Sequence, residues 1–350
     1  MDKKPTIDDV ARAAGVARAT VSRVLNSSPN TSERVRQRVL QAVKDLGYQV
    51  NLQARQLASG SSRVVALIFA AAADAEPNSY YHSAVELGAM RACSELGYGL
   101  IAHTLDPAQD VYRSRVLAMV DERRCDGLVL TPPFSDDAGL IRALTQREAP
   151  FVLISAGPDA RRLAHSVGID DRQAGFELGE HLVRGGHRCF GFISGPQDHR
   201  SAALRLDGFL EALRHAGIDE GCVTVAKGNF TFKSGIDCAE KLLASAARPT
   251  ALACANDDMA AGALFSAHRI GLNVPSDLSI TGFDDTPVSQ IVWPPLTTIH
   301  QPLRVIGSKA IELLVGQIMR ENGASDMADH QHLVPFELIQ RSSTSQGAPN

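Results

Sequence analysis

The densest group of side chains suited to chemistry lies near the start of the chain: Arg18, Ala19, Thr20, Ser22, Arg23 and Asn26. An arginine fork matches the two acceptors on a guanine edge, and an alanine methyl fits against a thymine methyl. Thr20, Ser22 and Arg23 suit phosphate or base contacts, and Asn26 suits the DNA backbone. The chemistry on offer is non-covalent reading of DNA. The plainer alternative is a small helical bundle whose charges are merely solvated.

Such side chains need a helix to present them. Thr6 predicts an N-cap, with Asp9 three residues on and Asp8 in the first turn. Ile7, Val10, Ala11 and Ala14 recur at helical spacing, and Gly15 ends the helix. A second helix is expected from Ala17 to Leu25, burying Val21, Val24 and Leu25. After a turn-rich stretch, Ser32 caps a third, with Val35, Val39, Ala42, Val43 and Leu46 on one face. This is a helix-turn-helix pattern, whose second helix lies in the major groove. Asn51 to Gly60 is a fourth helical stretch, shorter than the ~12–15 residues an isolated helix needs, so packing or a bound partner must stabilise it.

Charge supports the DNA reading once it is divided. The whole chain carries a net −4, yet residues 1–62 hold ten Lys/Arg against five acids, leaving −9 on the remainder. A basic arm on an acidic globular body is the pattern expected of a nucleic-acid binder.

From Arg63 onward, apolar runs alternate with amphipathic stretches. The runs are Val64–Phe69, Leu100–Ala102, Gly127–Leu130, Phe151–Ile154, Cys189–Ser194, Ala251–Ala255 and Leu278–Gly282. Strand–helix alternation of this kind predicts parallel sheets, and seven or more such units predict two doubly wound lobes. A helix near 302–321 and a strand near Leu333–Ile339 return the chain across both lobes. The expected fold is an N-terminal all-α helix-turn-helix domain (1–50), a hinge helix and linker (51–62) and an α/β body (63–341). The polar residues 342–350 are expected to be a disordered tail without a heptad pattern.

Several function classes are set aside by what the sequence lacks. The six cysteines have no CxxC spacing, which suits a reduced cytosolic chain better than disulfides or zinc. No signal-type apolar segment follows the N-terminus, and no run approaches the ~20 residues that span a bilayer, so a cytoplasmic protein with no membrane partner is expected. No Gly-rich phosphate loop or nucleophile–base set stands out, so neither a cofactor nor enzyme activity is expected. His181, His187 and His199 lack metal-ligand spacing and are read as surface or cap histidines.

The run Thr6-Ile-Asp-Asp-Val-Ala-Arg-Ala-Ala-Gly-Val-Ala-Arg-Ala-Thr-Val-Ser-Arg-Val-Leu-Asn26 resembles the lactose-repressor (LacI/GalR) family. The likeness continues through Ala255-Asn256-Asp257-Asp258-Met259-Ala260 and Gly282-Phe283-Asp284-Asp285-Thr286. It implies that Thr6, Ala17, Arg18, Ala19, Thr20, Ser22, Arg23 and Asn26 face operator DNA. It also implies that Asn51, Ala54 and Leu57 belong to a hinge helix, with Leu57 as a minor-groove wedge; such a wedge unstacks a base step and kinks the duplex. Two departures stand out: Ala17 replaces the usual serine, which supports a phosphate contact, and Val50 replaces the usual proline.

The body resembles periplasmic sugar-binding proteins, implying an effector in the cleft between lobes, where strand carboxyl ends meet. Positions matching family ligand contacts are Arg205, Asn256, Asp284, Phe230 and Gln301, with Tyr81, Thr131 and Ser155 at positions where the family varies. Arg205 has the fork for adjacent hydroxyls, Asn256 and Asp284 supply an amide and a carboxylate, and Phe230 a ring for a pyranose face. Trp293 has two readings, lining the cleft or plugging a lobe edge, the first preferred. Asp257 and Asp285 either cap helices or link the lobes.

The resemblance implies a homodimeric repressor of a sugar or glycoside utilisation operon, bound to double-stranded operator DNA and released by a saccharide effector. The alternative within the same class uses its ligand as a corepressor, as purine-type repressors do. A secreted sugar-binding protein would carry a signal segment in place of Thr6–Asn26, and a sugar-modifying enzyme a nucleophile, phosphate loop or metal cluster.

Overall fold

The computed structural model describes residues 5–25, 31–48, 61–71, 79–109, 111–245, 248–319 and 330–345. The chain divides into two units, residues 1–61 and 62–350. The expected hinge helix at 51–60, with Asn51, Ala54 and Leu57, lies outside the described residues, as does Asn26.

The first unit holds α1 (Ile7–Ala14), α2 (Arg18–Leu25) and α3 (Glu33–Asp45). Thr6 and Asp9 form the expected capping box at the start of α1. Gly15 follows in the left-handed region at φ 61, which reverses the chain into α2 at little strain. Ser32 stands at the N-cap of α3, but its side chain makes no capping hydrogen bond. Val10, Val21 and Val39, one from each helix, are fully buried together with Ala11, Ala14, Val24 and Ala42. Small side chains at this centre let three short helices approach closely.

The second unit contains two parallel sheets and a short antiparallel pair. Its strands are β1 (Val64–Ala70), β2 (Gly99–Leu105), β3 (Gly127–Leu130), β4 (Phe151–Ile154), β5 (Ser166–Gly168), β6 (Phe190–Ser194), β7 (Val223–Lys227), β8 (Ala251–Cys254), β9 (Ser279–Thr281), β10 (Thr298–His300), β11 (Gln331–Leu333) and β12 (Glu337–Ile339). The first lobe's sheet runs β2-β1-β3-β4-β5-β11, the second lobe's β7-β6-β8-β9, and β10 pairs with β12. Every residue of β3, β4 and β8 is buried, as expected where helices cover both faces of a parallel sheet. In both sheets the order reverses beside the first strand of the lobe, between β1 and β3 and between β6 and β8. Those reversals open a crevice at the strands' carboxyl ends.

The helices that matter for the site are α4 (Ser79–Leu96), α5 (Tyr112–Asp121), α6 (Ala138–Gln146), α7 (Pro158–Arg161), α8 (Asp171–Arg184), α9 (Arg200–His215), α10 (Phe232–Leu243), α11 (Asp257–Arg269), α12 (Pro287–Ile291) and α13 (Leu303–Met319). Among the described residues the chain crosses between lobes three times. After β5 it enters the second lobe, at Gln301–Pro302 it returns with α13 and β11, and after Leu333 it crosses back to pair β12 with β10.

Several expectations need correction. Ser343 and Thr344, expected in a disordered tail, are held in place: Ser343 is fully buried, accepts from Thr297 N and donates to the Ile280 carbonyl. His187 is not a surface or cap residue but is buried, bridging the Thr250 and Ser279 hydroxyls at 3.0 Å each. His181 is likewise buried, 2.9 Å from the Thr344 hydroxyl, and burial lowers the pKa of both rings. Trp293 does not line the cleft; it is 80% exposed after α12.

Candidate functional site

In the first unit, α2 carries its polar side chains outward because Val21 and Val24 anchor the opposite face. Ala17, Arg18, Ala19 and Arg23 are exposed, while Thr20 and Ser22 are half-buried. The Ala17 carbonyl accepts from Thr20 N at 2.8 Å and Val21 N at 3.2 Å, which makes Ala17 the entry residue of the helix. Its methyl offers no acceptor to the other free N–H groups there. Thr6 is occupied with Asp9, which it meets at 2.7 Å (hydroxyl) and 2.9 Å (backbone N–H). The guanidinium of Arg18 lies 3.9 Å from Asp8, a contact too long and exposed to hold it.

In the second unit, a cavity of about 270 Å³ lies at the carboxyl ends of both sheets. Ala70 and Ala71 from the end of β1 and Pro132 after β3 flank the first reversal point; Pro196 after β6 and Asp284 after β9 come from the second lobe. Tyr81 and His82 enter from α4, Ser155 from beyond β4, His199 and Arg205 from α9 and its approach, and Asn229–Thr231 from beyond β7. The first-lobe wall is mainly apolar, and the second-lobe wall carries most of the charge.

Arg205 is the centre of that charged wall and is itself buried. Its Nε donates to Asp171 at 2.9 Å, its Nη1 to the Ala255 carbonyl at 2.7 Å, and Asp284 lies 3.8 Å away. The guanidinium stacks on Phe283, 3.7 Å from the ring centre, so its plane is fixed on one side by carbon. Burial pushes the Asp284 carboxyl up to about 7 against the pull of Arg205 and the Gln301 hydrogen bond. The Asp171 carboxyl is raised by the same desolvation.

Ser155, Phe230 and Asp284 take positive φ values of 50°, 67° and 104°, conformations that cost non-glycine residues energy and cluster at binding sites. The Phe230 ring fills the space where a Cβ at residue 195 would stand, which explains glycine there. His199 packs edge-on to it at 5.2 Å, and His82 packs against Phe69 at 4.3 Å. Burial pushes both imidazole pKa values down to about 4. Burial also raises the Tyr81 phenol.

The expected effector residues fall into two groups. Tyr81, Ser155, Arg205, Phe230 and Asp284 line the cavity. Thr131, Asn256 and Gln301 stand behind it as supports. Thr131 donates to the Ile68 carbonyl at 2.9 Å, tying β3 to β1. Asn256 caps α11 by accepting from Met259 N and donates to the Phe230 carbonyl, so both ends of its amide are used. Gln301 donates to Asp284 at 2.5 Å and sets that carboxylate's direction. Of the two aspartates left open, Asp257 accepts from Thr286 and Thr298, and Asp285 meets Arg341 and His300; both brace the second lobe.

Residues 6–51 match the bacterial regulatory proteins, lacI family, and residues 180–344 match the periplasmic binding protein-like domain. The chain is 32% identical over 332 residues to catabolite control protein A of Priestia megaterium, covering 95% of this chain and 98% of that protein. The chain belongs to the lacI family of bacterial regulatory proteins. A second lacI-family relative, the HTH-type transcriptional repressor PurR of Photobacterium profundum, is 32% identical over 317 residues, 91% of this chain and 93% of that one. The Lac repressor dimer bound to operator and the anti-inducer ONPF superposes with a TM-score of 0.83 at 28% identity, covering 98% and 100% of the two chains. The transcriptional regulator CelR–cellobiose complex gives 0.71 at 30% identity, covering 97% and 99%. As a lacI-family member, this chain is a DNA-binding transcriptional repressor and not an enzyme.

Within that family frame, the cavity also contains His82, Asp198, His199, Asn229 and Thr231, none of which stands in a motif of the sequence. His199 lacks metal-ligand spacing, and its place just after the sixth strand is the signal that marks it. Loops at strand carboxyl ends are where doubly wound lobes meet ligands. His82 had a weaker signal, its adjacency to Tyr81.

Proposed function

We propose that this lacI-family repressor works as a homodimer on a near-palindromic operator of a sugar or glycoside utilisation operon, in the cytoplasm, and lets go when a saccharide binds between its lobes. The observation that carries the reading is the cavity itself. It combines a phenylalanine ring, an oriented carboxylate and guanidinium, and amide and hydroxyl groups at the carboxyl ends of two sheets. That mixture fits a molecule with one apolar face and a ring of hydroxyls. Support comes from the cellobiose complex of CelR and from the operator-bound dimer of the Lac repressor. In this reading Arg18 and Ala19 meet base edges, Ala17, Thr20, Ser22, Arg23 and Asn26 the backbone and nearby groups, and Leu57 the minor groove. Ligand closure moves the first lobes and unfolds the hinges.

Operator binding by the full-length protein, measured across a panel of mono- and disaccharides, tests the proposal. A salt-dependent complex weakened by one sugar is the expected result. The PurR relatives favour a second reading, in which ligand tightens the complex; the sign of the response separates the two.

A further inference from the structure

We infer that the cavity selects an uncharged saccharide and rejects sugar acids and sugar phosphates. The inference rests on the saccharide reading and adds the charge of the ligand.

Anion recognition needs a cation with charge to spare. Among the described residues, Arg205 is the one guanidinium or ammonium group in the cavity wall. It is already held by the buried Asp171 carboxylate at 2.9 Å and shares its other side with Asp284 at 3.8 Å. Two carboxylates therefore divide one positive charge. Its Nη1 also serves the Ala255 carbonyl, and one face is covered by Phe283. A third carboxylate, Asp198, lines the same space from the second lobe.

The two histidines do not repair this balance. His82 and His199 face the cavity from opposite lobes, each against an aromatic ring. Desolvation disfavours their charged forms, Arg205 adds to the effect on His199, and His199 weighs against charging His82. Asp198 pulls His199 the opposite way without reversing it. At neutral pH both are neutral imidazoles, each with one donor and one acceptor, which suits a hydroxyl. The remaining polar wall, Ser155, Ser201, Asn229, Thr231 and Tyr81, is also neutral.

A uronate or phosphate placed here would meet several carboxylates and, among the described residues, no cation with charge to spare. A buried ion without a partner loses its hydration and gains nothing in return. A hydroxylated neutral ring instead offers donors to Asp284 and Asp198 and acceptors to the histidines. The acidic wall becomes an asset for that ligand.

The test is calorimetric titration of the full-length protein at pH 7.5 with neutral mono- and disaccharides, each paired with its uronate and its 6-phosphate. The expected result is one neutral sugar binding, with its charged partners at least about 100-fold weaker. Asp198→Asn should narrow that ratio by strengthening the binding of the uronate and the 6-phosphate. A uronate or phosphate that binds as tightly as its neutral parent overturns the charge argument and leaves the saccharide reading standing. Failure of every sugar in all three series removes both.

Discussion

Asp284 has a carboxyl that titrates near neutral pH. Its folded-state pKa stands at about 7, against 3.8 ordinarily, because burial outweighs Arg205 and Gln301. Between those values the folded protein keeps a proton that the unfolded chain has lost, so this group makes the body less stable as pH rises. The depressed histidines His82, His181, His187 and His199 act with the opposite sign below the ordinary imidazole value, so the wild-type profile mixes both. The difference between wild type and Asp284→Asn isolates the carboxyl. The variant should gain on wild type from pH 5 to pH 8 in thermal unfolding; parallel curves would show that Asp284 does not titrate in that window. Ala17 offers a second residue-scale test. Serine there adds a hydroxyl acceptor at the entry to α2, worth about 1 kcal/mol for a typical N-cap. Ala17→Ser should slow amide exchange across residues 18–25 about fivefold, and an unchanged rate would show the position does not cap. The site was only partly legible at this scale. Asp284 stands in the run Gly282–Thr286 and Arg205 and Phe230 are reached through the family resemblance, whereas His199 has significance only once the β6–α9 loop is placed at the cleft.

At the scale of elements, the α8–α9 pair fixes Arg205. A Cβ at Gly175 would press on the Arg205 backbone carbonyl, and one at Gly208 on the Arg172 carbonyl, so each helix lets the other's backbone come close. Gly175→Ala should destabilise the body by about 1–3 kcal/mol and shift Arg205 away from Asp171, weakening ligand binding. Gly316 in α13 is the control. It is exposed with no atom within 4 Å of an added Cβ, so Gly316→Ala should stabilise by up to about 1 kcal/mol. Chemical denaturation of both variants checks the pair, and equal effects would refute the packing argument. The long buried strands were readable as unbroken apolar runs because both faces of a parallel sheet are covered. The strands β5, β10 and β11 were not: each is three residues long and, unlike β9, lies outside a longer apolar run. Nor was β7, whose outer edge leaves Thr224, Val225 and Lys227 exposed.

At the scale of the molecule, the proposed dimer needs a face. Ile291 and Trp293 are 79% and 80% exposed, two large apolar side chains presented together beside Pro294. Apolar surface of this kind usually marks an interaction site, and a second copy is its proposed cover. Trp293 is the single tryptophan of the chain, so it reports on that contact without labelling. Its emission should shift to shorter wavelength as protein concentration rises through assembly. A dimer seen by sedimentation with no spectral change would place the interface elsewhere.

The three crossings between lobes also set an order of events during synthesis. The α1–α3 unit is complete once residue 48 has left the ribosome. The first lobe, by contrast, waits for α13 and β11, and the second waits for β12, which pairs with β10, and for Ser343, which bonds Ile280 of β9 and Thr297, both from the far end of the chain. A nascent or truncated chain ending near residue 300 would thus present a DNA-reading head with no completed receiver for a signal. Premature stops late in the gene are therefore expected to yield chains that are degraded or unresponsive, rather than weakly inducible.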